Sequence, residues 1–449
     1  MSRPVVPVWV AGCSLLVACS TLAKIAGAPS IKSVTVSAPA GILVGDSAIA
    51  HSNALGDDGQ THNGRPVKWT SSDPTSLSIN GSGRMIGLVA GRQVTITAEV
   101  DGTKGSAVVA VTADDNRLAY AVADQPTAVG PYVPDAGSRF NSTDGTIEVT
   151  RTSTGAYSVR FAGLGRAAGQ RDNVQVSASN PTGPVYCKSR VWDASGADLR
   201  VDVGCFVPPS GTPTDARFTI LALGARAFGR TAPLAFALDV ADTGSLLLDS
   251  SATAYNSSGG AIEVGHVSTG HTAMNFRGLA SASASGPVAI QLSPVGQAPR
   301  RCRVEAVDKS IPGFGIACTS GGGGVLDSPW TLLWMQRGRP NARFGFAWAE
   351  DESSTTDHAP GAGYAINSSG GPIAIRRTAT GQYLVVFSGL ARRAGDTEAV
   401  LVQSFLYVDR VCDATSWGNA GANDFEVTVS CYDPTGAPSN TKFSVLVLQ

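Results

Sequence analysis

One pattern, written three times along the last two-thirds of the chain, limits what these 449 residues can fold into more than any other feature. Asn141-Ser142-Thr143-Asp144-Gly145, Asn256-Ser257-Ser258-Gly259-Gly260 and Asn367-Ser368-Ser369-Gly370-Gly371 stand 115 (256 − 141) and 111 (367 − 256) residues apart. Each is followed by an alternating run, a Thr-Gly turn and a second alternating run. In the first copy these are Ile147/Val149, Thr154-Gly155 and Tyr157/Val159/Phe161; in the third, Ile373/Ile375, Thr380-Gly381 and Tyr383/Val385/Phe387. Every copy closes the run in Phe-x-Gly-Leu, at Phe161, Phe276 and Phe387. Period-two apolar residues on both sides of a glycine turn make a β-hairpin with one buried face. Self-similarity at a fixed period marks tandem structural units.

The second half of each copy carries a cysteine pair. Cys187 and Cys205 flank a turn centred on Gly196, Cys302 and Cys318 one centred on Ser310, and Cys412 and Cys431 one centred near Gly421. Cysteines equidistant from a turn face each other on antiparallel strands, where the Cα separation suits a disulfide. Closing such a loop contributes on the order of 3 kcal/mol. Arg217–Leu221, Trp330–Trp334 and Phe443–Val447 then end each unit. Six or seven strands in about 110 residues predict an independent β-sandwich per copy, over 117–226, 232–338 and 343–449. Copy two is degenerate: it has His266 where the others have Arg151 and Arg377 one residue off register, Thr272 for the tyrosine, and Gly321 to Gly324 in one loop. The linkers, about Ala225–Ala232 and Gln336–Ala342, are short and predict a fairly stiff array. They leave open whether the copies stack linearly or close around a pseudo-threefold axis. The copies resemble repeats of uncharacterised exported bacterial proteins, a likeness that implies no function.

Residues 30–112 form a different unit. Val34/Val36, Leu43-Val44-Gly45-Asp46, Val67-Lys68-Trp69-Thr70-Ser71-Ser72-Asp73, the turn at Ala90-Gly91, Val94–Ala98 and Ala107–Val111 are short strands at close spacing. They describe a small sandwich. The VGD, WTSSD, G-x-x-x-G-L-x-A-G and TITA elements resemble the bacterial Ig-like group 2 (BIG2) domain, the module class of intimin- and invasin-type adhesins. That resemblance implies a Trp69 packed between sheets and no catalytic residue.

The N-terminus reads as targeting rather than fold. Arg3 precedes an uncharged run, Pro4 to Ala18, too short to span a bilayer comfortably. It ends in Leu16-Val17-Ala18-Cys19, which resembles the lipobox of bacterial lipoproteins. The resemblance implies a signal peptide over 1–18, a lipidated Cys19 and a linker over 19–29. Val10-Ala11-Gly12-Cys13 has half the apolar run before it, and Ala26-Gly27-Ala28 is followed by Pro29, which resists general signal peptidase. Ser20 after the lipid cysteine implies the outer membrane rather than inner-membrane retention. Cys19 as the lipid site leaves six cysteines, one pair per copy. The ten residues from Ser20 to Pro29 reach no further than about 35 Å, so the Ig-like unit is expected close to the membrane.

Composition excludes some chemistry. A net charge of −1 offers no surplus to neutralise phosphates, so nucleic acid is not an expected partner. No Gly-x-Ser-x-Gly elbow occurs; His51, His62, His266, His271 and His358 have no metal-ligand spacing and read as surface residues. Glu350-Asp351-Glu352 with Asp357 lacks EF-hand order and reads as a solvated loop. The Asn-Ser-Ser/Thr triplets read as turn caps. Trp192 and Trp417, near the exposed end of the cysteine hairpins, are the candidate binding surface, with edge packing as the bland alternative. No catalytic residue, metal or cofactor is expected. The chain therefore reads as all-β: an Ig-like sandwich followed by three sandwich-like repeats on a lipid-anchored, non-enzymatic envelope protein. Its partners are expected to be the membrane, through the lipid, and a surface glycan or protein. A structural envelope component, or a carbohydrate-binding accessory of an enzyme, are the alternatives.

Overall fold

The computed structural model describes residues 29–449 except 230–231, 241–244, 248–251, 280–286, 309–312, 337–342, 362 and 407–408. Cys13, Cys19 and the turn at Ser310 lie outside the described residues. The chain is all-β, with one 3-10 turn at Ala136–Ser138 as the only helical element among the described residues.

In the N-terminal unit, Lys68–Ser71, Arg92–Val100, Thr103–Thr112 and Gly41–Leu43 form one sheet, and Ser47–Ile49, Arg84–Gly87 and Leu77–Ile79 another. A third pairing joins Ile31–Ser37 to His51–Gly56. Trp69 is partly buried and packs against Val94, Ile96 and Val109 on one side and Ala54, Ala98 and Val100 on the other.

Each repeat is a sandwich of two antiparallel sheets. In the first, Arg139–Asn141, Leu118–Ala123, Phe218–Gly224 and Asp172–Ala178 form an inner sheet; Ile147–Ser153, Ala156–Phe161, Leu199–Val207 and Tyr186–Asp193 form the outer one. The other copies follow the same order, with axial edge strands Ala289–Pro294 and Ala399–Ser404 equivalent to Asp172–Ala178. Phe161, Phe276 and Phe387 are fully buried between sheets. Cys187 faces Cys205, Cys302 faces Cys318 and Cys412 faces Cys431 across neighbouring strands, and all three pairs are bonded.

The Asn-Ser-Ser/Thr triplets build one turn three times. Asn141 Oδ1 accepts from the backbone N–H of Thr143 at 3.1 Å, and its Nδ2 donates to Gly145 O and Ala162 O at 3.0 Å. Asn256 and Asn367 repeat the arrangement. Register corrects one sequence expectation: Arg151, His266 and Arg377 occupy the same position, opposite Tyr157, Thr272 and Tyr383. Arg151 pairs with Asp215 at 2.8 Å, and His266 pairs with the equivalent Asp327 at 3.0 Å.

The three sandwiches close into a ring. Alternate residues of the inner strands point away from their own sandwich: Leu118, Tyr120, Leu221 and Leu223 meet Leu234, Phe236, Phe344, Phe346, Leu446 and Leu448 in one shared core. Hydrogen bonds at equivalent positions circle the axis. Ser177 Oγ donates to Val402 O at 2.8 Å and accepts from Val402 N; Gln403 Oε1 accepts from Leu292 N at 2.6 Å; Ser293 Oγ donates to Val176 O and accepts from Val176 N, both at 3.0 Å. A second tier joins Asp172 N to Ala252 O, Val288 N to Gly363 O, and Glu398 N to Gly137 O, at 2.9–3.0 Å. The segment between repeats one and two is packed rather than exposed, with Ala225, Ala227, Phe228 and Ala232 buried.

The Ig-like unit docks on the first repeat. Gly41 packs on Gly169 so closely that a Cβ there would lie 2.8 Å from the Gly169 Cα. Arg226, buried, pairs with Asp46 and stands 3.5 Å from Asp114. Buried Asp115 fixes the junction by accepting from Arg117 Nε, Arg171 N and Ala225 N at 2.7, 2.7 and 3.0 Å.

Candidate functional site

The two ends of the ring differ. Strand Asp172–Ala178 begins beside the docked Ig-like unit, since Gly169 abuts Gly41, and ends at Ala178 in a small pocket on the axis. Seven residues of strand put that pocket roughly 20 Å from the docking face. One cysteine of each disulfide, Cys187, Cys302 and Cys412, lines it, so this end is a crown braced by three covalent bonds. The cavity measures about 70 Å³.

Charge in the crown comes from the residues around the second cysteine pair and from a loop of repeat three. Arg301 donates through Nη2 to Asp409 at 2.9 Å and to Gly321 O at 3.2 Å, and its guanidinium lies 5.6 Å from the centre of the Tyr186 ring. Arg303 donates to Leu406 O at 2.8 Å and stands 4.0 Å from the same Asp409. Arg410 lines the pocket and donates to Ser439 Oγ at 3.1 Å. The residue after the first cysteine is charged in every copy (Lys188, Arg303 and Asp413), and each side chain sits in a seam between repeats. Asp413 is fully buried, which drives its carboxyl well above the usual range; only the Val185 N–H, at 3.2 Å, opposes this. Burial, and then Arg300 and Arg190, bring the Lys188 ammonium down to about 7. Burial lifts the Tyr186 hydroxyl to about 12, against the pull of Arg301.

The tryptophans proposed as a binding surface stand at the opposite ends of their strands. Trp192 is half-buried on the first sandwich core and donates Nε1 to Asp172 Oδ2 at 2.7 Å; Arg166 pairs with the other oxygen of Asp172. Trp417 stands beside Glu398, which Arg392 approaches at 3.6 Å; burial raises the Glu398 carboxyl, against the pull of Arg392 and Trp417. Both indoles thus belong to equivalent Arg–carboxylate–Trp groups beside seams, and the structure does not bring them together. The edge of Trp192, with Arg166, Arg190, Leu238 and Val295, lines a cleft of about 360 Å³ between repeats one and two.

The remaining sequence candidates are engaged locally. His271 bonds Glu305 at 2.8 Å, His62 bonds Asp58 at 3.0 Å, and Asp351 accepts from the backbone N–H groups of Ser353 and Ser354. No group of three or more metal-ligating side chains occurs among the described residues. The crown was not singled out in the sequence. The Arg300-Arg301-Cys302-Arg303 run was its available signal, but its meaning depends on Asp409 and Tyr186 arriving from other repeats.

No family model and no curated protein matches this chain. Among solved structures, it is similar to human protocadherin-24 EC1-2, at 12% identity over 38% of this chain and 78% of that one, with a TM-score of 0.16. It is also similar to the S-layer protein rSbsC(31-844), at 13% identity over 90% of this chain and 50% of that one, again with a TM-score of 0.16.

Proposed function

We propose that the chain is a non-enzymatic, lipid-anchored protein of the bacterial envelope, held by Cys19, whose Ig-like unit is a spacer and whose ring presents its crown to a partner. One observation carries the reading: the Ig-like unit and the crown lie at opposite ends of the axial strands. An anchor ten residues upstream of the Ig-like unit then directs the crown away from the membrane. The three disulfides suit an oxidising compartment. The BIG2 likeness and the outer-membrane destination belong to this proposal.

Metabolic labelling with palmitate, followed by membrane fractionation, tests the anchor. Cys19→Ala should lose the label and leave the membrane fraction, and a variant that keeps both would remove Cys19 from the reading. Glycan arrays and pull-downs from envelope extracts test the partner. Binding that survives deletion of all three repeats would place the function in the Ig-like unit instead. No partner in either assay would leave a structural envelope component.

A further inference from the structure

The lining of the crown pocket carries two arginines, Arg301 and Arg410, and one carboxyl, that of Asp413. Arg301 and Arg303 share the Asp409 carboxylate, at 2.9 and 4.0 Å, whereas Arg410 donates only to the Asp409 backbone carbonyl, at 3.2 Å, and to Ser439 Oγ. Arg301 is 6% exposed, and its Nε and Nη1 find no hydrogen-bond partner among the described residues. The Tyr186 hydroxyl and Asp413 Oδ1 are likewise buried and unpartnered. Buried donors without acceptors are uncommon in folded proteins, and each costs about 1–3 kcal/mol. Here they gather around one pocket with room for about five water molecules at roughly 15 Å³ each, the scale of a tetrahedral or planar oxyanion.

We propose that the crown pocket binds an oxyanion, the acidic head of a larger ligand, through Arg301, Arg410 and the Tyr186 hydroxyl. Arginine suits this role because its guanidinium stays charged when buried and offers several fixed donors to an anionic oxygen. Tyr186 adds a neutral donor held in place by its ring, which stacks on Phe206 at 5.6 Å between centroids. Asp413 lines the same pocket: its Oδ2 accepts from Val185 N, its Oδ1 is unpartnered, and burial favours its neutral form. The ligand class is therefore set by charge and size: a carboxylate, as on an acidic sugar, or a phosphate, as on a phosphorylated polymer.

The pocket deepens the display reading by giving its outward end a ligand chemistry, and it is tested separately from the anchor. Full-length protein in detergent is titrated with inorganic phosphate and, in parallel, with glucuronate, at ionic strength held constant with sodium chloride; melting temperature and calorimetry are followed. At least one probe should raise the melting temperature saturably, and which one does so separates phosphate from carboxylate sources. Arg301→Gln should weaken binding at least tenfold. Tyr186→Phe, which keeps the ring, should weaken it about threefold. Intact mass confirms that each variant keeps its three disulfides. If Arg301→Gln does not fold, Arg410→Gln and Tyr186→Phe decide. The proposal is overturned if neither probe binds saturably, or if the folded variants bind like the parent. A Cys19→Ala protein that leaves the membrane yet still binds would keep the pocket and the anchor distinct.

Discussion

Repeats one and three solve the seam differently from repeat two. In both, a carboxylate at the start of the axial strand stands between an arginine and an indole: Arg166 and the Trp192 N–H bond Asp172 in the first, and Arg392 at 3.6 Å and Trp417 flank Glu398 in the third. Repeat two has Val288 and Val307 at the positions of the carboxylate and the tryptophan, with Val288 fully packed. Both positions of the polar pair are apolar there. A buried carboxylate without its donors is costly, whereas replacing both partners by apolar groups can be nearly neutral. The second-tier hydrogen bond survives in all three copies because it uses only backbone, Val288 N to Gly363 O replacing the amides of Asp172 and Glu398. Degeneracy of copy two therefore reaches side chains and spares the ring.

The sharpest way to break this comparison is to attack copy two itself. Phe276→Ala should cost about 3–5 kcal/mol and lower a single unfolding transition for the whole ring, because the core of repeat two is continuous with the shared core. A separate, earlier transition for repeat two alone would show that the ring is not one cooperative unit. Next in size is the covalent framework: Cys302→Ser with Cys318→Ser should cost about 3 kcal/mol by denaturant midpoint, as should removal of either sister pair.

Lys188 has no counterpart lysine in the other copies and should reveal itself by pH. Its folded-state value near 7 lies below the unfolded 10.5, so in that window the unfolded chain binds the extra proton and stability climbs with pH. Lys188→Met should flatten the climb and add on the order of 3 kcal/mol at neutral pH. A pH profile unchanged by the substitution would sink this account. At the seam, Trp192→Phe should cost about 1 kcal/mol and Val307→Phe in copy two much less, since only the first strands a carboxylate.

The smallest effect concerns Asp327. Its carboxyl is held below the usual range by the Gly270 N–H, more than by His266. The depressed value adds stability that is present above the unfolded carboxylate range and lost as pH falls through the folded one. Asp327→Asn should therefore cost under about 1 kcal/mol at pH 7 and nothing once the carboxyl is protonated, by chemical denaturation at several pH values.

The hairpins, the turn asparagines and the cysteine partners were legible because each depends on neighbours close in sequence. Register follows from a period of two, and the disulfides follow from register. Ring closure was harder to read, although a trace of it was present. Leu118–Ala123, Trp330–Met335, Phe344–Ala349 and Phe443–Leu448 are apolar at nearly every position, not at alternate ones, and each is buried throughout. A strand without alternation is a strand with two covered faces. What covers the second face is a different repeat, and no local pattern names it. The indoles were read as an aromatic surface because their carboxylates lie about twenty residues upstream, on another sheet. Arg151 and His266 looked out of register until strand pairing aligned them.

Closure of the ring also sets a schedule for a chain that is made from its N-terminus. Ser177 meets Val402 across 225 residues, so the joint between the first and last repeats cannot form until the strand Ala399–Ser404 has been made. The apolar outer faces of the inner sheets stay uncovered until the strand Phe443–Leu448 arrives. Loss of that last strand would leave the final sandwich unfinished and the central faces of the other two exposed together. The seam between the first and last repeats therefore closes only after the strands of all three sandwiches are made.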